Sequence, residues 1–191
     1  MQRFLPEDNE NSLNEAGLQI SYIPNIENLN TLRACWPHKG VAADLVRQLK
    51  YHRVTGVVTI IADALTSITP DPSTVSTFTW VPCTPQRRRS RGFDPAELLT
   101  RAVARRLHKR AVPYLRRLDS RPQTSRSKKE RLIGPRLALH PFNRHIQGQV
   151  VVIDDVCTTG STLKTAATVL RLAGAQKVIG LVATVADRNN G

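Results

Sequence analysis

Apolar positions recur along the chain in two rhythms, and the alternation between them marks out the elements. Residues 41–52 carry Val41, Leu45, Val46 and Leu49 at helical spacing. Residues 54–68 repeat the pattern with Val57, Val58, Ile61, Ala62, Leu65 and Ile68, which predicts a second, more buried helix. Residues 31–36 read as a short strand. Residues 75–81, β-branched and aromatic, read as a strand ending at Pro82. Asp94-Pro95-Ala96-Glu97 opens a helix expected to reach about Lys109: Asp accepts the first amides, Pro suits the first helical position, and Glu reaches back from the third. Residues 112–118 predict a further strand. Residues 149–154 hold an unbroken aliphatic run from Val150 to Ile153, the mark of a strand buried on both faces, as in a parallel sheet. A helix over 161–173 closed by Gly174 and a strand over 178–186 complete a βαβ unit. The fold class is α/β, a mostly parallel twisted sheet with flanking helices.

Between these elements lie three stretches without a clear period. Residues 1–30, with six Asn and five acidic side chains, predict a tail or an irregular lead-in. Residues 84–93 predict a basic loop. Residues 119–143, rich in Ser, Pro, Arg and Lys, predict a mobile basic loop within a single domain spanning 31–191. The 191 residues suit one such domain with no metal or disulfide staple. No apolar run is long enough to span a bilayer, and the first residues lack a basic-then-apolar leader, so a cytoplasmic protein without membrane contact is expected. Cys35, Cys83 and Cys157 are single and widely spaced, which fits reduced thiols and not a zinc finger.

Charge changes the picture. The net charge is +13, and 16 of the 28 Lys and Arg fall between Gln86 and Arg131 with only 4 of the 15 acids. An excess concentrated in this way attracts polyanions such as pyrophosphate, nucleotides or nucleic acid; a solvated arginine-rich surface is the plainer explanation for any one residue.

The candidate chemistry sits where the aliphatic strand gives way to a helix. Asp154 and Asp155 stand at the carboxyl edge, where open α/β sheets bind ligands. Thr158, Thr159, Gly160, Ser161 and Thr162 follow and lead into the helix, whose unpaired amides and dipole favour an anion. The hydroxyls add donors, and Gly160 permits close backbone approach. The carboxylates repel phosphate but accept from sugar hydroxyls and can help hold Mg²⁺, directly or through water. Ribose 5-phosphate satisfies both halves. Solvated turn residues or a plain helix cap would explain either half alone. The Gly-Lys-Ser/Thr ending of a Walker loop and the three spaced glycines of a dinucleotide fingerprint are absent.

Residues 150–162 resemble the PRPP-binding motif of type I phosphoribosyltransferases: aliphatics, two acids, then small and hydroxyl residues around Thr-Gly. Val81-Pro82, the arginines after Pro85, Arg91-Gly92-Phe93-Asp94, Pro122-Gln123 and Glu130-Arg131 resemble the ComF-type, competence-associated branch. That branch usually has Asn-Gln where Asp94-Pro95 stands and often begins with a cysteine zinc finger not seen in these residues. The resemblance implies that residues 158–162 hold the 5-phosphate. It implies that Asp154 and Asp155 hold the ribose 2- and 3-hydroxyls and support Mg²⁺. One or two of Arg87, Arg88, Arg89 and Arg91 would face pyrophosphate, Arg91 above all; Lys128, Lys129 and Arg131 either contact it on closure of a flap or belong to a disordered basic loop. The implied reaction displaces pyrophosphate at the anomeric carbon by a nitrogen nucleophile. Lys50, at the end of the first helix, could reach the site, but a helix-end cation is the commoner explanation. The alternative implied by the ComF-type resemblance is a non-catalytic protein of DNA uptake that binds single-stranded DNA or a nucleotide. A nucleotide-sensing regulator on the same fold is a third reading.

Overall fold

A computed structural model describes residues 12–13, 19–22, 26–52, 55–118, 135–142 and 145–186. In chain order the elements are β1 (Ser12–Leu13), β2 (Gln19–Tyr22), β3 (Thr31–Pro37), α1 (Gly40–His52), α2 (Thr55–Ser67), β4 (Val75–Trp80), α3 (Pro85–Arg91), α4 (Pro95–Arg106), β5 (Leu115–Arg117), β6 (Leu137–Leu139), β7 (Gln149–Cys157), α5 (Ser161–Leu172) and β8 (Lys177–Val185). Six strands form one sheet in the order β1-β2-β3-β8-β7-β4. The four from β3 to β4 run parallel, and β2 and β1 add antiparallel at the β3 edge.

The aliphatic run of β7 explains the layering. Successive strand side chains alternate between faces. Val151 and Ile153 pack with Leu49 of α1, Ile61 and Leu65 of α2, and Leu99 and Val103 of α4. Val150 and Val152 pack on the other face with Leu163, Ala166 and Leu170 of α5, and with Leu115 and Leu137 of the small β5–β6 sheet. All four aliphatics from Val150 to Ile153 are fully buried, so the unbroken run reports a strand covered twice. Truncating one such Leu or Ile to Ala costs about 2–5 kcal/mol. Among the described residues no helix is long and apolar enough to cross a membrane.

Four expectations change. Residues 12–13 and 19–22 of the lead-in are strands, not irregular chain. Residues 84–93 are not a loop: Pro85–Arg91 is a helix. The strand expected over 112–118 shrinks to Leu115–Arg117, and Ala111 instead bridges Phe78 of β4. The strand carrying the acids continues to Cys157, with Asp154 opposite Val182 and Val156 opposite Thr184. The mobile loop expected over 119–143 lies mostly outside the described residues, as do Pro122-Gln123, Lys128, Lys129 and Glu130-Arg131. Its described part contains β6.

Candidate functional site

The carboxyl ends of the parallel strands open on one cavity of about 370 Å³. β7 supplies Asp154, Asp155 and Val156, and the turn into α5 supplies Thr158 and Thr162. The end of β4 supplies Val81, Pro82 and Cys83, and α3 supplies Arg87 and Arg91. His38, Lys50, Asp94 and Arg117 complete the polar lining.

The turn into α5 is fixed by its backbone. Gly160 caps the helix with φ of 79°, in the left-handed region, and has no side chain of its own to cap the first turn. A Cβ on Gly160 would meet Ile26 Cδ1 at 2.7 Å. Glycine is therefore required by the turn and by Ile26 beneath it, beyond any approach of a ligand. Thr159 Oγ1 accepts the Ser161 amide at 3.3 Å and its hydroxyl donates to Ser161 Oγ at 3.0 Å. Those two hydroxyls engage each other, while Thr158 and Thr162 face the cavity.

The acids share the cavity and differ in state. The Asp155 amide donates to Asp154 Oδ1 at 2.8 Å. Burial first, and the Asp155 charge second, push Asp154 well above the usual carboxylate range. Burial, the largest influence on Asp155, would raise it too, but the Lys50 ammonium, 2.6 Å from Asp155 Oδ2, and the hydrogen bond with Asp154 together outweigh it and hold that group below its ordinary value. A helix-end cation is the commoner explanation of Lys50 from sequence; it turns instead to the site because Val46, Leu49 and Lys50 share the buried side of α1.

The cationic wall depends on the helix that the arginine run concealed. Thr84 caps α3, Pro85 fills its first turn, and Gly92 ends it with φ of 77° while donating to the Arg88 carbonyl at 2.8 Å. This Thr-Pro start and Gly stop were the legible signal. Spaced four apart, Arg87 and Arg91 share the side facing the cavity. Arg88 does not join them: its guanidinium pairs with Glu97 at 2.9 Å. Arg89 is exposed and is not part of the lining. Glu97, expected to reach back as a helix cap, also takes Arg101 at 2.9 Å. Arg91 stacks over the Tyr51 ring, 5.2 Å from its centroid.

Asp94 holds this wall in place. It is almost fully buried, and its carboxylate accepts from the Ala96 and Glu97 amides of α4 and, at 2.7 Å, from the Cys83 amide. Burial raises its pKa, and the amides from Cys83, Glu97 and Ala96 oppose the rise. The half-buried Cys83 thiol is pushed up to about 12, by burial and then by Asp94, so it stays protonated.

Sequence reasoning missed two lining residues. His38 follows β3, and its ring Nδ1 lies 2.8 Å from Thr184 Oγ1. Arg117 comes from β5 and donates to the Pro82 carbonyl at 3.2 Å. Neither carries a local signal, because each reaches the site only through the sheet order.

A parallel α/β sheet with an acidic strand end and a hydroxyl turn is the class of fold, and one comparison names its family. The phosphoribosyl transferase domain family matches residues 95–191, more than half of the sequence, and the chain belongs to that family. The adenine phosphoribosyl transferase of Trypanosoma brucei, solved in complex with AMP, pyrophosphate and ribose-5-phosphate, is similar over 90% of this chain and 91% of that chain. The TM-score is 0.48 and the identity 13%. No curated protein matches the chain.

Proposed function

We propose that the cavity binds PRPP, or the ribose 5-phosphate part of a nucleotide, and that the protein is a phosphoribosyltransferase of the ComF-type branch. One observation carries this reading: the acid pair Asp154–Asp155, the hydroxyls of Thr158 and Thr162, and Arg87, Arg91 and Arg117 converge on a single cavity at the carboxyl edge of the sheet. Amides and hydroxyls of residues 158–162 would take the 5-phosphate, with Thr158 and Thr162 nearest. Asp154 and Asp155 would accept from the ribose 2- and 3-hydroxyls. Arg87 and Arg91, joined by Arg117, would clamp the pyrophosphate with charge-assisted bonds.

Carboxylate oxygens are the right donors for Mg²⁺. Lys50 already engages Asp155, and no group of three or more His, Cys, Asp or Glu gathers among the described residues. The fit is therefore to a cation that Asp154 and Asp155 hold through water while substrate oxygens complete its shell. Such an ion would neutralise charge on the pyrophosphate.

In the reaction, a bond forms from the acceptor nitrogen to the anomeric carbon as the carbon–oxygen bond to pyrophosphate breaks. Pyrophosphate leaves with the electron pair. Arg87 and Arg91 stabilise the departing charge, and the carboxyl side of the cavity faces the cationic sugar. Calorimetric titration with Mg·PRPP, followed by assay of base-dependent pyrophosphate release, tests this. Binding with release supports it, and absence of both PRPP and ribose 5-phosphate binding defeats it.

The alternative, single-stranded DNA binding without catalysis, draws on the exposed arginines of α3, α4 and the following turn, Arg89, Arg105 and Arg110 among them. Salt-dependent DNA binding unaffected by Asp154→Asn, with no pyrophosphate release, would favour it.

A further inference from the structure

α3 carries two of the cavity's cations, yet no apolar face fixes its rotation. None of its residues is buried: residues 85–90 are exposed, and Arg91 is half-buried. A helix without an apolar stripe takes its orientation from contacts at its surface. Thr84 caps its start, the Arg88 guanidinium pairs with Glu97 at 2.9 Å, and the Arg91 guanidinium lies over the Tyr51 ring, 5.2 Å from the centroid. Only the last of these holds the side chain of a residue that lines the cavity. Tyr51 is itself 65% exposed, so packing does not account for its position. It follows Lys50, whose ammonium meets Asp155, and the last turn of α1 therefore touches both walls of the cavity.

Resting on the phosphosugar reading above, we propose that Tyr51 is a positioning residue for the pyrophosphate end of the ligand, its ring holding the Arg91 guanidinium at the cavity wall. The physical ground is the kind of contact. A cation over a ring face is attracted by the ring's quadrupole and uses no N–H donor. Tyr51 thus fixes where Arg91 stands and leaves its donors and its charge for phosphate oxygens. A carboxylate in the same place would take both. Arg88 shows that alternative: Glu97 engages its guanidinium, and it is absent from the lining. An arginine held by nothing would lose its rotamer freedom only on meeting the ligand; the ring removes part of that loss beforehand. Tyr51 lies outside the lining and acts through Arg91 alone.

The test is calorimetric titration of the full chain with Mg·PRPP and with ribose 5-phosphate, for the parent, Tyr51→Phe and Tyr51→Leu. Thermal melting establishes that each variant is folded, and Tyr51→Gln replaces Tyr51→Leu should that variant aggregate. Tyr51→Leu should weaken PRPP binding about threefold to fivefold, the range of an exposed cation–π contact, and leave ribose 5-phosphate unchanged. Tyr51→Phe keeps the ring and should match the parent for both ligands. In an Arg91→Ala background Tyr51→Leu should cost nothing further, because its partner is gone. A loss that persists in that background, or that falls equally on ribose 5-phosphate, makes Tyr51 structural only and overturns the inference. So does a Tyr51→Phe protein as weak as Tyr51→Leu, which assigns the effect to the hydroxyl. A Tyr51→Leu protein that binds PRPP as tightly as the parent or more tightly also overturns it, since the ring would then be idle or would draw Arg91 away. In each of these cases the parent still binds both ligands, and the phosphosugar reading stands. A parent that binds neither ligand overturns that reading, and this inference with it.

Discussion

Two crossover turns face each other across the cavity, and they are held by opposite means. The turn from β7 into α5 is set by backbone: a left-handed glycine with no side chain of its own to cap, and Ile26 packed where a Cβ would stand. The turn from β4 into α3 is set by side chains: Thr84 Oγ1 accepts the Arg87 amide, and the buried Asp94 carboxylate, itself the cap of α4, accepts the Cys83 amide. The first arrangement satisfies the Ser161 amide through Thr159 and leaves Thr158 and Thr162 facing the cavity at the helix start, which suits a small anion such as a monophosphate. The second satisfies its own amides and offers guanidinium groups instead, which suit a larger, more highly charged anion.

Substitutions on the two sides should therefore fail differently. The largest effect is expected for Gly160→Val, which combines positive φ with overlap on Ile26 and should cost about 3 kcal/mol in urea unfolding. Gly92 has a similar φ of 77° but nothing within 4 Å of its would-be Cβ. Gly92→Ala should cost only about 1 kcal/mol, and equal losses would erase the contrast. Next, the double substitution Arg87→Ala with Arg91→Ala should weaken PRPP binding about 100-fold, at roughly 1.5 kcal/mol per charge-assisted bond. Ribose 5-phosphate binding should stay within about threefold. Parallel losses for both ligands would show that the two walls do not divide the ligand. Thr162→Val is the counterpart: it should weaken both ligands by about tenfold or less, one neutral hydrogen bond.

The smallest effect is a pH dependence. Asp154, raised by burial and by Asp155, contributes most to stability in acid, and that contribution is lost as pH rises from about 3.8 through its raised value. Asp155 runs the other way. Burial would raise it but Lys50 lowers it, so its contribution stands at neutral pH and is lost as pH falls through the lowered value. Asp154→Asn removes the first and keeps the second. The variant should melt above the parent at pH 8, with the gap closing towards pH 4. A constant gap would mean that Asp154 does not change charge in the folded protein over that range.

Much of this was legible in the sequence because it was written locally. The run from Val150 to Ile153 declares a doubly covered strand, Asp94-Pro95 a helix start, and the acid pair followed by Thr-Gly a strand-to-helix turn at the carboxyl edge. α3 was misread because its apolar period is missing: none of its residues is buried, so only Thr84-Pro85 and Gly92 mark it. His38 and Arg117 were illegible as site residues, and Lys50 legible only as one of two readings, for another reason. Their meaning comes from strand order, which places the end of β3 beside β8 and carries α1 to the acids. β1 and β2 went unseen because strands of two and four residues on a sheet edge need almost no hydrophobic pattern.

The pairing of β3 with β8 also bears on how the chain reaches its native form. His38 and Thr184, which meet at the ends of these strands, are 146 residues apart. A strand made early must wait, with one edge uncovered, for a partner made much later. Contacts of such separation slow folding and lengthen the interval in which an open edge can find another chain. The strand that brings Lys50 into reach of the acids is thus among those whose docking waits for nearly the whole domain, and the cavity is complete only when folding is nearly finished.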